Sequence, residues 1–117
     1  VNFENTRGET PLESCAFAVV EQARALGVRM RTLAFFAGRT SSAYSDLKKG
    51  TLAYSNMITG VTRAKALADA RGWKLVVLGA LVKHGESDAA STTYQAELNQ
   101  WQADVETDVR AITGQTA

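Results

Sequence analysis

The chain has little of the residues that mark several common classes of protein. Of its 117 residues, one is cysteine, one is proline and one is histidine, which excludes an internal disulfide and makes a metal site built on several imidazoles untenable. Thirteen lysines and arginines oppose twelve aspartates and glutamates, and the basic residues are scattered singly. This balance indicates neither nucleic acid nor an anionic membrane as a partner. The longest apolar run, residues 75–82, is far too short to span a membrane.

What the chain does contain is typical of a globular protein. Its 45% hydrophobic and 21% charged residues are enough for one domain with a single core, and we expect residues 1–117 to belong to one domain. Cys15 lies among apolar neighbours in a helical pattern. A small buried hydrophobe is the favoured interpretation of that cysteine, over a reactive thiol.

The first helix is predicted from its start and its end. In Thr10-Pro11-Leu12-Glu13 the threonine can cap the helix, proline suits the first helical position, and Glu13 can reach back to the Thr10 amide. Apolar residues then recur at helical spacing until Gly27 closes the helix.

Two further helices are predicted by the same reasoning. Residues 51–71 form an apolar face ended by Gly72, and residues 94–112 form another with Gly114 just past its end. The face of the second helix comprises Leu52, Met57 or Ile58, Val61, Ala64, Leu67 and Ala68; that of the third comprises Tyr94, Leu98, Trp101, Val105, Val109 and Ile112.

Two segments between the helices have the composition of buried strands. Residues 28–36 are rich in β-branched and aromatic side chains, and residues 73–82 are almost continuously apolar. The order helix, strand, helix, strand, helix, without a hairpin turn, predicts an α/β fold: a three-layer sandwich whose parallel strands are joined by a right-handed crossover. Because two strands make a poor sheet, further strands are expected outside these 117 residues or from another chain.

Polar loops follow both predicted strands, at residues 37–42 and 84–88. In an open α/β sheet such loops meet at the edge where ligands bind. Gly38 and Gly85 leave room for a backbone amide to approach a ligand, as in an oxyanion hole.

Several side chains of these loops have two interpretations. His84 is either a hydrogen-bond donor or titrating group at a site, or a histidine that bonds only to backbone. Glu86 and Asp88 could bind a metal ion, or share a proton between their carboxylates. The favoured interpretation is that they hold the loop and cap the next helix. Arg39 is an anion ligand or, more commonly, a solvated arginine. We predict no metal and no cofactor.

No complete nucleophilic triad is indicated. Ser41, Ser42 and Ser87 would each need the single histidine as a base, and nothing resembles a nucleophile elbow, so a Ser42–His84–Asp88 triad is disfavoured. The tryptophans, Trp73 and Trp101, are expected to pack against other elements rather than to serve as sugar platforms.

These two loops resemble a known family. An apolar strand, then His84-Gly85-Glu86-Ser87-Asp88-Ala89, then a tyrosine that opens an amphipathic helix, is similar to the Gln-Gly-Glu-Ser-Asp-Ala block of SGNH hydrolases, in particular the sialate O-acetylesterase and acetylxylan esterase group. The turn at residues 37–41 looks like that family's second block. The resemblance implies a flavodoxin-like SGNH hydrolase fold, incomplete in this chain.

The resemblance also implies roles for individual residues. Gly38 would offer its amide to the oxyanion, and His84 would stand where relatives have a glutamine or asparagine donor. Gly85 would allow close approach, and Glu86 would brace the loop of the nucleophile. Arg39 and Asp88 would support the site.

Two blocks of the family are absent from these residues: the nucleophilic serine turn and the Asp-x-x-His pair. The chain is therefore expected to be the central part of an O-acetylesterase acting on acylated carbohydrate or small esters, with serine and base supplied by the rest of the enzyme or by a second chain. The rival hypothesis is a non-catalytic carbohydrate-binding or assembly module, for example of a phage tail. A secreted, cell-surface or virion location is favoured by the resemblance alone.

Overall fold

The computed structural model describes residues 11–38 and 41–116, and these fall into two compact units divided between Phe36 and Ala37. The helices of the described part are α1 (Pro11–Ala25), α2 (Tyr44–Leu47), α3 (Leu52–Asp69) and α4 (Tyr94–Thr113), and a 3₁₀ turn covers Glu86–Asp88. No strand occurs among these residues. The prediction of an α/β three-layer sandwich with a parallel sheet is therefore wrong for the described chain.

The two predicted strands have no regular secondary structure. No residue of 28–36 or 73–82 forms a β-bridge with a described residue, and most of their large apolar side chains are exposed, among them Val28, Leu33, Phe36, Leu78 and Leu81. A strand needs a partner for its backbone N–H and C=O groups. An apolar run therefore predicts a buried strand only where neighbouring strands are available to pair with it.

The first unit contains α1, and its predicted end is confirmed. Gly27 has φ +73°, and the Val28 N–H donates to the Ala23 carbonyl at 2.8 Å, which is the glycine-terminated helix end expected from the sequence. The expectation that Cys15 is buried is wrong, because the thiol lies on an exposed face of α1. The predicted Thr10 cap lies outside the described residues.

In the second unit, both predicted ends of α3 are confirmed. The Thr51 hydroxyl oxygen accepts a hydrogen bond from the Tyr54 N–H at 3.3 Å and caps the first turn. At the other end Gly72 has φ +65°, and the Trp73 N–H donates to the Ala68 carbonyl at 2.9 Å.

The core of the second unit lies where α2, α3 and α4 pack against one another. The predicted face of α3 is only partly correct, because Leu52 and Leu67 are exposed whereas Val61, Ala64 and Ala68 are buried. Their core partners are Tyr54 of α3 and Val109 of α4. The predicted α4 is confirmed, and it ends at Gly114 in the left-handed conformation. These helices position the residues that precede α2 and α4, which carry the candidate site.

Candidate functional site

The segment from His84 to Tyr94 folds back on itself through one glycine. Gly85 has φ +121°, a conformation that side chains with a β-carbon rarely adopt, and the 3₁₀ turn follows directly. The Tyr94 ring at the start of α4 covers this glycine: a β-carbon built on Gly85 would lie 3.2 Å from Tyr94 Oη. His84 and Tyr94 also stack, with ring centroids 5.8 Å apart and planes inclined by 23°.

Both ring nitrogens of His84 have hydrogen-bond partners. Nε2 lies 3.0 Å from the Ser42 carbonyl oxygen, and Nδ1 lies 3.0 Å from Tyr94 Oη. Because a carbonyl oxygen only accepts, Nε2 must carry a proton. In the neutral imidazole Nδ1 then accepts from the Tyr94 hydroxyl, so the surrounding groups fix the tautomer of His84.

Asp88 makes the second connection between the same two segments. Its Oδ2 accepts a hydrogen bond from the Tyr44 N–H at 2.9 Å and lies 3.7 Å from His84 Nε2. The side chains of His84 and Asp88 are only 12% and 13% exposed. We call Ser42, Tyr44, His84, Asp88 and Tyr94 the His84 cluster. It holds a histidine and a carboxylate out of bulk water, where electrostatic interactions are strengthened.

The structure brings some of the predicted site residues together and not others. His84, Gly85 and Asp88 lie in or beside the His84 cluster. Gly38 is exposed, and the described contacts of the cluster are made by Ser42 and Tyr44 instead. Glu86 is exposed, and its side chain makes no hydrogen bond to a described residue. Arg39 lies outside the described residues.

The arrangement around His84 is not that of a catalytic triad. In a triad the serine hydroxyl and the carboxylate contact opposite ring nitrogens. Here the main-chain oxygen of Ser42 and the carboxylate of Asp88 both approach Nε2, while Tyr94 contacts Nδ1. The disfavoured Ser42–His84–Asp88 triad therefore has no geometric support.

Two tyrosines of the cluster were not predicted as site residues. Tyr94 was identified as an apolar-face residue of α4 and as the tyrosine that opens this helix in the resemblance to the esterase block, but without a role in the site. Tyr44 was not singled out. The one sequence signal for Tyr94 is its place at the start of a helix ten residues after His84. The hydrogen bond from Tyr44 N–H to Asp88 spans 44 residues, and nothing in the local pattern indicates it.

A second polar cluster joins α4 to the start of α3, and the sequence did not reveal it. Asp108 accepts from Lys49 Nζ at 2.7 Å and from the Tyr54 hydroxyl at 2.8 Å. These two hydrogen bonds lower the pKa of Asp108, and the hydrogen bond between Lys49 and Asp108 raises the pKa of Lys49. Burial, and then the bond to Asp108, raise the pKa of Tyr54. A shallow cavity of about 440 Å³ lies beside this cluster.

The Asp108 contacts predict a loss of stability in acid. A lowered folded-state pKa means that the contribution of Asp108 is fully present above its unfolded-state pKa of about 3.9 and is lost as the pH falls through the lower folded-state value. Asp108→Asn should cost about 2 kcal/mol at pH 7. Lys49 and Tyr54 donate to different carboxylate oxygens, so the amide would place its NH2 group, which only donates, opposite one of these two donors. Urea unfolding of the 117-residue chain at pH 7 and pH 3 checks this.

The variant should also lose less stability than the wild type between these two pH values. Asp69→Asn, which removes an exposed carboxylate of α3, controls for the change in net charge and should leave the Asp108 contribution in place. Equal acid-induced losses in the wild type and in Asp108→Asn would contradict the proposed role of Asp108.

The described residues contain no group of three or more histidine, cysteine, aspartate or glutamate side chains that could hold a metal ion. Within the same residues, no helix is both long enough and apolar enough to cross a membrane.

Comparison with known proteins gives no match: no protein-family model, no curated protein and no solved structure is significantly similar to this chain.

Proposed function

We propose that this chain contributes the oxyanion-binding segment of an SGNH-type serine esterase that removes acyl groups, in particular acetyl groups from carbohydrate. One observation carries the proposal: the hydrogen bond from His84 Nε2 to the Ser42 carbonyl joins the His-Gly-Glu-Ser-Asp-Ala segment to the loop after Gly38, across 42 residues of sequence. The resemblance of these two segments to the esterase blocks supports the same chemistry.

In the proposed reaction a serine oxygen attacks the ester carbonyl and forms a tetrahedral oxyanion. The alcohol leaves with the proton that the base took from the serine, and water then hydrolyses the acyl-enzyme to the free acid and the free serine. The serine and its base come from the rest of the enzyme or from a second chain. The task of this chain is to provide hydrogen-bond donors at the place where negative charge develops on the carbonyl oxygen.

His84 can provide such a donor by exchanging its acceptor. The Nε2–H that donates to the neutral Ser42 carbonyl would donate to the oxyanion in the transition state. A charged acceptor makes the stronger hydrogen bond, so the exchange favours the transition state over the ground state. The Tyr94 hydroxyl keeps the proton on Nε2, and the Asp88 carboxylate holds the adjoining backbone of Tyr44.

Two backbone amides are further candidate donors. Gly38 is exposed, and the Gly85 N–H donates to no described residue. Gly38 carries no side chain that would keep a substrate away, whereas at Gly85 the Tyr94 ring lies where a β-carbon would stand. An oxyanion held by two or three such donors would be preorganised before the reaction starts.

The second candidate function is a non-catalytic carbohydrate-binding or assembly module. One observation favours it: both ring nitrogens of His84 are already engaged inside the protein, as in a histidine whose role is to connect two segments. In that case the His84 cluster only holds the Ser42 segment and the start of α4 together, and His84 does not contact a substrate.

Esterase activity of the intact assembly separates the two functions. The assembly should hydrolyse p-nitrophenyl acetate, and a serine-directed phosphonate should abolish the activity by modifying one serine. The 117-residue chain assayed alone serves as the control and should be inactive, because the proposed serine and base lie elsewhere. Absence of hydrolysis by the assembly, or hydrolysis that the phosphonate leaves unchanged, would favour the binding module.

A further inference from the structure

The apolar segment at residues 75–82 has an unusual pattern of backbone contacts. The side-chain amide of Gln115 pairs with both backbone groups of Val77: the Val77 N–H donates to Gln115 Oε1 at 2.9 Å, and Gln115 Nε2 donates to the Val77 carbonyl at 3.1 Å. In an antiparallel sheet, the two residues of a hydrogen-bonded pair exchange both of their backbone hydrogen bonds with each other in the same way. The side chain of Gln115 thus occupies the place of a neighbouring backbone.

Val77 is the one residue between Lys74 and Lys83 whose backbone groups make a hydrogen bond to a described residue. The backbone groups of the other residues of this stretch have no described partner. Several side chains are exposed as well, including Val76 at 46%, Leu78 at 65% and Leu81 at 68%. A contiguous apolar surface with unpaired backbone groups is typical of an interaction site.

The charges around the segment select its partner. No charged residue lies between residues 75 and 82, and Lys74 and Lys83 lie immediately on either side. A second copy of the segment would place lysine opposite lysine, both in a parallel and in a centred antiparallel arrangement. Like charges directly opposite each other destabilise such a pair, so a partner with carboxylates at these two places fits better.

We propose that residues 74–83 bind an extended segment of another protein, whose apolar residues are flanked by aspartate or glutamate. Its main chain supplies hydrogen bonds to the unpaired backbone groups, as Gln115 does for Val77, and its apolar side chains cover Val76, Leu78 and Leu81. The flanking carboxylates pair with Lys74 and Lys83 and fix the alignment. This interaction does not depend on the proposed esterase activity.

The test uses two labelled peptides with the same alternating apolar core, one flanked by glutamates and one by lysines, titrated against the 117-residue chain by fluorescence anisotropy. The glutamate-flanked peptide should bind about tenfold more tightly at low salt, and the difference should shrink as salt is added. Hydrogen exchange should show protection of the backbone amides of residues 75–82 when it binds.

Matched variants locate the charges. The double variant Lys74→Glu/Lys83→Glu should reverse the preference and bind the lysine-flanked peptide more tightly. Arg63→Glu changes an exposed charge on α3 and should leave the preference unchanged. A proline inside the peptide core should abolish binding, because proline lacks the N–H that pairs with the segment.

Any one of four results would overturn the proposal. If neither peptide binds, or binding leaves the amides of residues 75–82 unprotected, the segment is not the docking site. If both peptides bind the wild type equally, the lysines do not select the partner. If the chain forms dimers in sedimentation experiments that protect the same amides, the occupant is a second copy of the chain.

Discussion

Replacing His84 with alanine should lower kcat of the proposed complete esterase by about 10²–10³-fold, which is the usual cost of removing one oxyanion donor. The expected loss lies in kcat rather than in KM, because the donor meets the negative charge only in the transition state. The site of the donor is well defined: Nε2 carries the proton, since its partner in the resting structure is the Ser42 carbonyl oxygen.

Two companion variants separate donation from folding. His84→Gln replaces the imidazole N–H with an amide N–H, the donor found in the family that the segment resembles, and should recover much of the lost kcat. Tyr94→Phe keeps the ring over Gly85 but removes the hydroxyl that holds the tautomer of His84, so its loss of kcat should be smaller than that of His84→Ala.

Two results would contradict the role of His84 as an oxyanion donor. If kcat of His84→Ala equals that of the wild type while the phosphonate still inhibits, the reaction uses a serine but His84 takes no part in it. If kcat falls in His84→Ala and in His84→Gln to the same extent, the imidazole is needed for its connection between Ser42 and Tyr94 rather than as a donor.

The second large effect is expected at Gly85. Gly85→Ala should destabilise the chain by about 2–4 kcal/mol, because the backbone is held at φ +121° and the new β-carbon would lie 3.2 Å from Tyr94 Oη. Urea unfolding followed by circular dichroism measures this free energy.

Gly50→Ala provides a matched control for the backbone term. Gly50 has φ +92°, but a β-carbon built there meets nothing within 4 Å. Gly50→Ala should therefore lower the free energy of unfolding only by the backbone strain, about 1–2 kcal/mol. The difference between the two variants measures the contact with Tyr94. Equal losses of unfolding free energy in the two variants would mean that the Tyr94 ring moves aside at no cost. A glycine would then be required at position 85 for its backbone conformation alone.

The features that the sequence predicted correctly are local ones. Gly27, Gly72 and Gly114 end helices in the left-handed conformation, because each such helix end depends on a few consecutive residues. The two strand predictions were wrong because a strand depends on residues far away in the sequence. The apolar composition of residues 28–36 and 73–82 indicates burial, but a strand also needs a partner, and composition does not show whether one is available.

The candidate site was partly predictable. The proximity of His84, Gly85 and Asp88 follows from their places in one short polar loop after an apolar run, which is visible in the sequence. Their partners were not predictable, because the contacts of Asp88 with Tyr44 and of Asp108 with Tyr54 join residues 44 and 54 positions apart. Such contacts depend on how α2, α3 and α4 pack, and the packing itself was not foreseen.

The hydrogen bonds on the two sides of the His84 ring point in the same direction. The Tyr94 hydroxyl donates to Nδ1, and Nε2–H donates to the Ser42 carbonyl oxygen. Hydrogen bonds in such a chain polarise one another, so each strengthens the other. The start of α4 and the segment before α2 are therefore connected as one unit, and loss of the Tyr94 hydroxyl should also weaken the contact of His84 with Ser42.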